Sequence, residues 1–411
     1  MVRTVSATVV MAVTLTAAVA AQDLVLTNAN VVDVVEGSIT MGATVTVANG
    51  RIVSIDAAGA TAPASTRTID LSGRYLAPGL MDAHVHLESA ADARRALETG
   101  VTTMRSMGTS HYADVGMREL QRAGHATTPE YLATGYHVRP EMAEGFFQDH
   151  PELGALAGGG VTNPEAVRSV TSAIVSRGVD FVKTNATERA GLPDSDPRKQ
   201  LYGEAELRTM VEVANGAGIG VAAHAHGDAG GRAAVAAGVR SIEHGTYLSE
   251  ATLRMMVERG TYLVPTIAIV RDLTIPGGDY DNAVLNIRGR HMLPRVQEMA
   301  RMAHTLGVRI VAATDTGYGP NSTTTLAHEL IELAAIGMSP LEALRSATTT
   351  AAELFGIDDR AGRIAAGYEA DFIVLERNPL DDIGVVQDVL MVVSDGEIIV
   401  QRGDWPGRPV S

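Results

Sequence analysis

The sequence predicts an α/β fold in which a (β/α)8 TIM barrel carries a small β-sandwich domain formed from both termini. The first observation is an alternation of short apolar strands with helix-patterned segments through the middle of the chain. The second is a β-rich pattern at both ends, with hairpin turns at Asn49-Gly50 and Asp395-Gly396. The third is a set of His, Lys and Asp residues at predicted strand ends, where barrel enzymes place their active sites.

The β domain is predicted from two separate segments, residues 22–77 and residues 363–411. In ATVTVANGRIVSID, apolar and polar residues alternate on both sides of a two-residue turn, which is typical of a hairpin. The same pattern returns in DVLMVVSDGEIIVQRG near the other end. We therefore expect one composite β domain, with the barrel formed by residues 78–362.

Eight short apolar segments are the predicted barrel strands: GLMDAHVHL, VTTMRSM, YLATGYHV, DFVKTNA, GVAAHAHG, SIEHG, YLVPTIAI and RIVAATDTG. Helix-patterned segments such as ADARRALETG and EAELRTMVEVANGAG separate them. Eight strands alternating with helices is the count that a barrel requires. After the eighth strand, SPLEALRSATTTAAELFG predicts an extra helix, with Ser339 as N-cap and Pro340 in the first turn.

Residues 1–20 have the pattern of a signal peptide. Arg3 supplies a positive charge, an uncharged apolar stretch follows, and the small residues Ala18 and Ala20 precede the predicted cleavage site. The alternative is a membrane anchor, but a spanning helix needs about 20 strongly apolar residues, and Thr and Ser interrupt this stretch. We expect an exported protein, periplasmic or secreted, with no stable membrane anchor.

Composition excludes several classes of site. The net charge of −15 argues against a nucleic-acid partner, which would require a basic surface. The chain contains no cysteine, so it has neither disulfides nor thiolate metal ligands. Any metal must therefore bind histidine, carboxylate or a less usual ligand.

Six polar residues at the ends of five predicted strands are the candidate metal ligands: His84, His86, Lys183, His224, His244 and Asp315. His84 and His86 are two residues apart on a strand, so their side chains share one face. The carboxyl ends of barrel strands meet at one mouth, so all six are expected to converge there. A single HxH pair would be weak evidence, whereas six such residues together predict a metal site.

In its motifs the sequence resembles the amidohydrolase superfamily, and within it the imidazolonepropionase-like and metallo-dipeptidase group that includes Xaa-Pro dipeptidases and ochratoxin-degrading amidases. The motifs are APGLMDAHVHL, FVKTNAT, AAHAHG, IEHG, ATDTG, SATTTAAELFGI and GRIAAGYEADFIVL. The resemblance implies two divalent metal ions, usually Zn²⁺, bridged by a carbamylated lysine (N6-carboxylysine) at Lys183. A lysine in a desolvated strand beside cations has a lowered pKa, so its free amine can react with carbon dioxide.

The resemblance also implies a role for each ligand. It assigns one ion to His84, His86 and Asp315, the other to His224 and His244, and both to Lys183. It makes Asp315 the group that takes the proton from the attacking water and passes it to the leaving amine. It places His137 as hydrogen-bond donor to the scissile carbonyl oxygen, although a purely structural histidine remains an alternative.

Three further residues are predicted to contact the substrate. His226 shares a strand face with His224 and could replace it as ligand, but the twenty-residue spacing to His244 favours His224. His226 is therefore assigned to the substrate pocket, together with Ser89. Arg189 follows the fourth strand in KTNATERAGLPDSDP, where the sequence departs from the dipeptidase pattern. Its guanidinium suits a substrate carboxylate, and a surface ion pair is an equal alternative.

Lys183 favours a two-metal amidase over the one-metal imidazolonepropionase. The resemblance implies hydrolysis of an amide next to a C-terminal amino acid, in a dipeptide or in an ochratoxin-type N-acyl amino acid. A lactonase or phosphotriesterase-like enzyme and a cyclic-amide hydrolase are the alternatives within this class. A non-catalytic barrel protein is a further alternative, which predicts missing ligands. Relatives are often multimeric, so we expect a homo-oligomer.

Overall fold

The computed structural model of this chain describes residues 24–59, 67–87, 89–125 and 127–402. The predicted signal peptide at residues 1–20 lies outside the described residues, as does the segment 403–411. Within the described ranges, no helix combines the length and apolar character needed to cross a membrane.

The structure contains the following strands: β1 (Leu24–Asp33), β2 (Ser38–Ala48), β3 (Arg51–Asp56), β4 (Arg67–Asp70), β5 (Tyr75–Pro78), β6 (Leu80–Val85), β7 (Val101–Ser106), β8 (Glu130–Leu132), β9 (His137–Val138), β10 (Phe181–Asn185), β11 (Gly220–Gly227), β12 (Ser241–Tyr247), β13 (Tyr262–Val264), β14 (Phe372–Leu375), β15 (Met391–Ser394) and β16 (Glu397–Gln401). The α-helices are α1 (Ala90–Glu98), α2 (Ala113–Arg122), α3 (Glu144–Asp149), α4 (Pro164–Val175), α5 (Glu204–Gly216), α6 (Asp228–Ala237), α7 (Glu250–Arg259), α8 (Ile267–Asp272), α9 (Ala283–Leu306), α10 (Leu326–Ala335), α11 (Pro340–Ser346) and α12 (Thr349–Phe355). Short 3₁₀ turns span Ser110–Tyr112, Pro151–Leu156 and Ile383–Gln387.

Strands from both ends of the chain form one mixed eight-stranded sheet, the terminal sheet. Its order is β16-β15-β14-β5-β1-β2-β3, and β4 pairs in parallel with β1. The antiparallel pairing of β14 with β5 joins the carboxyl-terminal strands to the amino-terminal ones. This confirms that the small β domain is formed from both termini, while the exact domain limits stay a prediction.

Both predicted hairpin turns are present in the terminal sheet. Asn49 and Gly50 connect β2 to β3 with φ angles of 52° and 72°. Asp395 and Gly396 connect β15 to β16 with φ angles of 50° and 78°. These left-handed pairs match the twist of antiparallel strands, which explains the Asn-Gly and Asp-Gly sequences. The two turns also pack together, since a Cβ on Gly396 would lie 3.1 Å from Gly50 Cα.

The middle of the chain has the α/β organisation of a TIM barrel. Parallel strands form two sheets, β6-β7-β8 and β9-β10-β11-β12-β13, with helices between successive strands. The predicted third strand is divided into β8 and β9, because the amides of Thr134 and Gly135 turn to the Asp114 carboxylate at 2.8 and 2.9 Å. His137 therefore begins a separate short strand beside Lys183.

The last two predicted barrel strands differ from expectation. Only Tyr262–Val264 of the seventh is a strand. After Pro265 the chain turns at Thr266 into α8, because the apolar run PTIAI suits a buried helix as well as a strand.

The predicted eighth strand forms only isolated bridges, at Ile310 and Thr316. Its backbone still contacts β13 on one side, where Val311 N donates to Leu263 O at 2.9 Å. On the other side it contacts β6, where Asp315 N donates to His84 O at 2.8 Å. Asp315 is thereby placed beside the HxH motif.

The predicted extra helix is present, but it is divided into α11 and α12 at Ala347 and Thr348. Ser339 is its N-cap, as predicted. The Ser339 hydroxyl accepts from Glu342 N at 3.3 Å, and the Glu342 carboxylate accepts from Ser339 N at 2.7 Å. This reciprocal capping box satisfies two backbone donors at the start of α11.

Candidate functional site

His84, His86 and Asp315 form the first cluster of possible metal ligands. His84 Nε2 lies 3.3 Å from His86 Nε2 and 3.4 Å from Asp315 Oδ1. His86 Nε2 lies 3.2 Å from the same carboxylate oxygen. A tetrahedral ion with bonds of about 2.0–2.1 Å separates its ligand atoms by roughly 3.3 Å, so these three residues fit a metal ion.

His224, His226 and His244 form the second cluster, with ligand atoms within 4.8 Å of one another. Thr246 Oγ1 contacts His226 Nδ1 at 2.9 Å, and Thr266 Oγ1 contacts His244 Nδ1 at 2.8 Å, which leaves Nε2 of each ring for an ion. His224 Nε2 instead lies 3.1 Å from the Glu188 carbonyl oxygen. All three rings are within reach of one position, so the preference for His224 over His226 stays a prediction.

Lys183 lies on β10 and is 1% exposed. Its Nζ has no hydrogen-bond partner among the described residues, which is a costly arrangement for a buried amine. Burial lowers the pKa of Lys183 to about 8, against the opposing effect of the Glu243 and Asp315 charges. An amine that loses its proton this readily is nucleophilic, and an added carboxylate would fill the unsatisfied position. The environment therefore fits a carbamylated lysine.

The histidines of the site are held in the form that binds metals. Burial is the largest effect and lowers the pKa of His84, His224 and His244 well below the usual range. Burial also lowers the pKa of His226 to about 3. These imidazoles are therefore neutral near pH 7, and each offers a lone pair to an ion.

A buried carboxylate orients His84. Glu243 Oε2 accepts from His84 Nδ1 at 2.9 Å, so the opposite nitrogen is free for the metal. Glu243 Oε1 accepts from Arg105 Nη2 at 3.0 Å and from Ser241 Oγ at 2.6 Å. Arg105 and Glu243 were missed in the sequence analysis, although a charged residue inside each of the apolar strands VTTMRSM and SIEHG is an unusual pattern.

The backbone around the site adopts conformations that side chains rarely tolerate. His244, Thr266 and Asp315 have φ angles of 74°, 50° and 56°. Non-glycine residues in this left-handed region are uncommon and cluster at functional sites. His244 and Asp315 line the inner cavity in this conformation, and Thr266 contacts His244 Nδ1 through its hydroxyl.

Asp82 ties β6 to the segment that carries Asp315. Its carboxylate accepts from His84 N at 3.1 Å, from Thr314 Oγ1 at 2.7 Å and from the Tyr318 hydroxyl at 2.9 Å. Burial outweighs these hydrogen bonds and raises the pKa of Asp82 to about 6. The contacts fix the spacing between the HxH motif and Asp315.

Two adjoining cavities open over the two clusters. The inner cavity, about 80 Å³, is lined by the ligand residues and by an apolar wall that includes Ala190, Ile269 and Leu273. The outer cavity is about 500 Å³. The two cavities share His86, His137, Arg189 and Tyr280 as lining residues.

The predicted substrate contacts lie in different surroundings. His137 lines both cavities, but its Nδ1 contacts Asn185 Oδ1 at 2.9 Å and its Nε2 contacts Met107 O at 2.5 Å. Donation to a substrate carbonyl would require Nε2 to leave Met107. Ser89 is the N-cap of α1, bonded to Asp92, and lines neither cavity. Arg189 lines both cavities.

Comparison with known proteins identifies the family to which this chain belongs. The amidohydrolase family profile matches residues 75–399. Ochratoxinase from Aspergillus niger is 28% identical over 352 residues, covering 76% of this chain and 72% of that protein. The crystal structure of a Xaa-Pro dipeptidase with bound methionine matches with a TM-score of 0.80 at 25% identity, over 92% of this chain and 99% of that one. A prolidase complexed with N-methylphosphonate-L-proline matches with a TM-score of 0.79 at 27% identity, over 93% and 100%. The chain therefore belongs to the amidohydrolase family and is a hydrolase that acts on amide bonds.

Proposed function

We propose that this protein is a two-metal amidohydrolase that cleaves the amide bond next to a C-terminal amino acid. Its substrates are dipeptides or N-acyl amino acids, including ochratoxin-type amides. The observation that carries the proposal is the buried Lys183 amine, unpartnered among the described residues and in a site with two ligand clusters. The similarity to ochratoxinase and to a Xaa-Pro dipeptidase supports the substrate class.

Histidine and carboxylate donors are the ligand set that zinc prefers when cysteine is absent. The residues that would hold the ions are His84, His86, Asp315, His224, His244 and a carbamylated Lys183. Bound ions would polarise the scissile carbonyl and lower the pKa of water near the site. Asp315 has a partly exposed carboxylate at the inner cavity. It would accept the proton of the attacking water and pass it to the leaving amine.

The other residues of the site position and shield the substrate. Backbone bonding to His84 O holds Asp315 next to the HxH motif, so the proton acceptor cannot drift from the reaction centre. Released from Met107, the His137 Nε2–H would donate to the carbonyl oxygen as negative charge develops. The wall of Ala190, Ile269 and Leu273 excludes water from one side of the cavity and strengthens these interactions.

Related chemistries share such a centre. A lactonase or phosphotriesterase-like activity and cyclic-amide hydrolysis would use the same ligands, and the substrate test below separates them. A non-catalytic barrel protein would be expected to lack ligands, whereas the two histidine-containing clusters here are complete among the described residues.

The decisive experiment combines metal analysis with a substrate panel. We expect two equivalents of zinc per chain, loss of activity on chelation and recovery with zinc or cobalt. The panel holds dipeptides, N-acyl amino acids, ochratoxin-like amides, lactones, phosphotriesters and cyclic amides, and the first three should be turned over fastest. His86→Ala should abolish turnover, while His125→Ala, at an exposed position, should not. Metal-free protein that zinc cannot activate would refute the enzyme proposal.

We also propose that the protein is exported after removal of residues 1–20 and assembles as a homo-oligomer. Amino-terminal sequencing of the protein from periplasmic and medium fractions should find a chain that begins near Ala21. Light scattering should give a mass above one chain. An intact leader in the cytoplasmic fraction would contradict export, and a monomer would contradict assembly.

A further inference from the structure

We propose that Arg139 and Arg189 form a subsite for a second carboxylate, so that the preferred substrate releases a dicarboxylic amino acid such as aspartate or glutamate. This inference rests on the proposed function and adds the identity of the leaving group. Both arginines line the outer cavity, which shares His86 and His137 with the metal site.

Neither guanidinium is neutralised by an ion pair with a described residue. Arg139 and Arg189 are each partly buried, and neither side chain forms an ion pair or hydrogen bond among the described residues. Burial, followed by the positive charge of Arg189, lowers the pKa of Arg139. Two like charges at one cavity repel each other, so the cavity favours an anion that contacts both.

The described carboxylates around this pair form no ion pair with it, including Asp315, which lines the inner cavity together with Arg189. Among the described residues that line the outer cavity, none is acidic. Glu188, the neighbour of Arg189, accepts from Lys199 Nζ at 2.6 Å and from Asp196 N at 2.8 Å. Glu141 is exposed, and its charge opposes the pKa shift of Arg139 without an ion pair to it among the described residues. As far as the described residues are concerned, the positive charge of the cavity is available to a ligand.

Hydrogen bonds from Arg288 hold the loop that carries Arg189. Arg288 on α9 donates to the carbonyl oxygens of Ala190 and Leu192, both at 2.6 Å, and to that of Ser195 at 2.7 Å. On the other side of the cavity Arg139 directly follows β9, where Val138 O accepts from Thr184 Oγ1 at 2.8 Å. The backbone next to each guanidinium is therefore held by hydrogen bonds, which reduces the conformational entropy lost when an anion binds.

The chemistry of the pair selects two carboxylates rather than one. A guanidinium binds a carboxylate through two parallel hydrogen bonds, and each arginine offers one such fork. The α-carboxylate of the leaving amino acid occupies one fork, and a side-chain carboxylate occupies the other. A neutral side chain leaves one partly buried arginine without an anion, which penalises that substrate.

The test compares glutamate with its neutral isostere, glutamine. Calorimetry on the metal-loaded protein should show L-glutamate binding roughly 10- to 100-fold more tightly than L-glutamine. The kcat/KM ratio of N-acetyl-L-glutamate to N-acetyl-L-glutamine should favour glutamate by a similar factor. Arg139→Met and Arg189→Met should each reduce both ratios towards one. Arg168→Met is the matched control, because Arg168 lies on the surface in an ion pair with Glu212 and should leave both ratios unchanged.

The two measurements separate this inference from the proposed function. If neutral leaving groups are cleaved as well as acidic ones and glutamate has no binding advantage, the subsite is refuted and the amidase proposal stands. If no amide is cleaved but glutamate binds preferentially and each arginine variant removes that preference, the subsite stands and the proposed function falls. A preference that survives both arginine substitutions would also overturn the subsite.

Discussion

Lys183 shows how a residue that is unfavourable by itself can indicate chemistry. A buried amine without a partner destabilises the fold, and a methionine would fill the same space without that penalty. Its presence makes sense if the nitrogen is converted into an acid that contacts two ions. The same site contains His244 and Asp315 in strained backbone conformations. In each case local stability is lower than it would be with another residue, as is common at active sites.

Replacement of Lys183 by alanine should abolish activity, because the group that we propose to join the two ligand clusters would be lost. Turnover should fall to background, and short carboxylic acids such as acetate or propionate should partly restore it by occupying the vacated space. The measurement is kcat/KM with increasing acid concentration, with sulfate as a matched control for ionic strength. Undiminished turnover without added acid would refute the bridging role.

Several residues of the site could be predicted from the sequence because their signals are local. His84 and His86 are two residues apart, and Asp315 ends an apolar segment, so the pattern of a few neighbouring residues was sufficient to predict that they come together. Arg105 and Glu243 are 138 positions apart, and only the folded barrel shows that they bond at 3.0 Å. The relation between Arg139 and Arg189 depends on loop conformation, which periodicity does not encode.

At the scale of elements, Glu329 on α10 holds the start of α8. Its Oε2 accepts from Ala268 N at 2.7 Å, while its Oε1 has no partner among the described residues. Burial raises the pKa of Glu329 to about 8. α8 contributes Ile269 and Val270 to the cavity wall. The protonation of the Glu329 carboxyl is therefore coupled to the shape of the pocket.

The raised pKa of Glu329 predicts a pH-dependent stability. A carboxyl that keeps its proton in the folded state contributes stability below about pH 4.5, and this contribution is lost as pH rises through about 8. Glu329→Gln does not titrate, so its stability relative to wild type should increase over this window, by up to about 5 kcal/mol. Urea unfolding of metal-free protein at several pH values measures the difference. Glu258→Gln, at an exposed helix position, is the control, and a difference independent of pH would contradict the prediction.

The packed hairpin turns give a second prediction for an element. Gly396→Ala places a side chain at a φ of 78° and within 3.0 Å of Val47 Cγ1. Left-handed strain costs about 1–2 kcal/mol, and the contact should add about 1 kcal/mol more. Gly73→Ala has nearly the same φ, 81°, with nothing within 4 Å, so it isolates the strain. Denaturant midpoints should decrease in the order wild type, Gly73→Ala, Gly396→Ala. Equal losses of stability in the two variants would exclude a packing role for the turns.

Elements with strong local signals were predicted correctly, and elements that depend on competition between neighbours were not. The hairpin at Asn49-Gly50 and the capped start of α11 at Ser339 are encoded in two to four residues. From Ile267 to Val270 the segment is apolar at every position, so its pattern does not distinguish a strand from a helix. Packing against α10 favours the helix, and the α10 residue that makes this contact lies some 60 residues further along the chain.

Over the whole molecule, the candidate ligands connect parts of the chain that are distant in sequence. They lie on β6 or directly after it, on β10, β11 and β12, and on the segment that carries Asp315. An ion that binds only the folded arrangement stabilises it by mass action. Metal binding at these candidate ligands should therefore stabilise one end of the barrel more than the terminal sheet, which has none of them.

Metal loading should accordingly raise the thermal midpoint. Zinc at about 100 times its Kd should add about 2.7 kcal/mol to the free energy of unfolding. Hydrogen exchange should slow at the carboxyl ends of β6, β10, β11 and β12 and stay unchanged in β1 to β3. His86→Ala should reduce both effects, and His125→Ala should not. A midpoint that is insensitive to zinc would argue against ligands supplied by the folded barrel.

The pairing of β5 with β14 has a consequence for the order of synthesis. A ribosome releases residues 75–78 long before residues 372–375, and at about 5–20 residues per second the interval is roughly 15–60 s. During this time the edge of β5 has no strand to pair with, and such an edge can associate with other chains. The terminal sheet can therefore be completed only after its last strands have been synthesised.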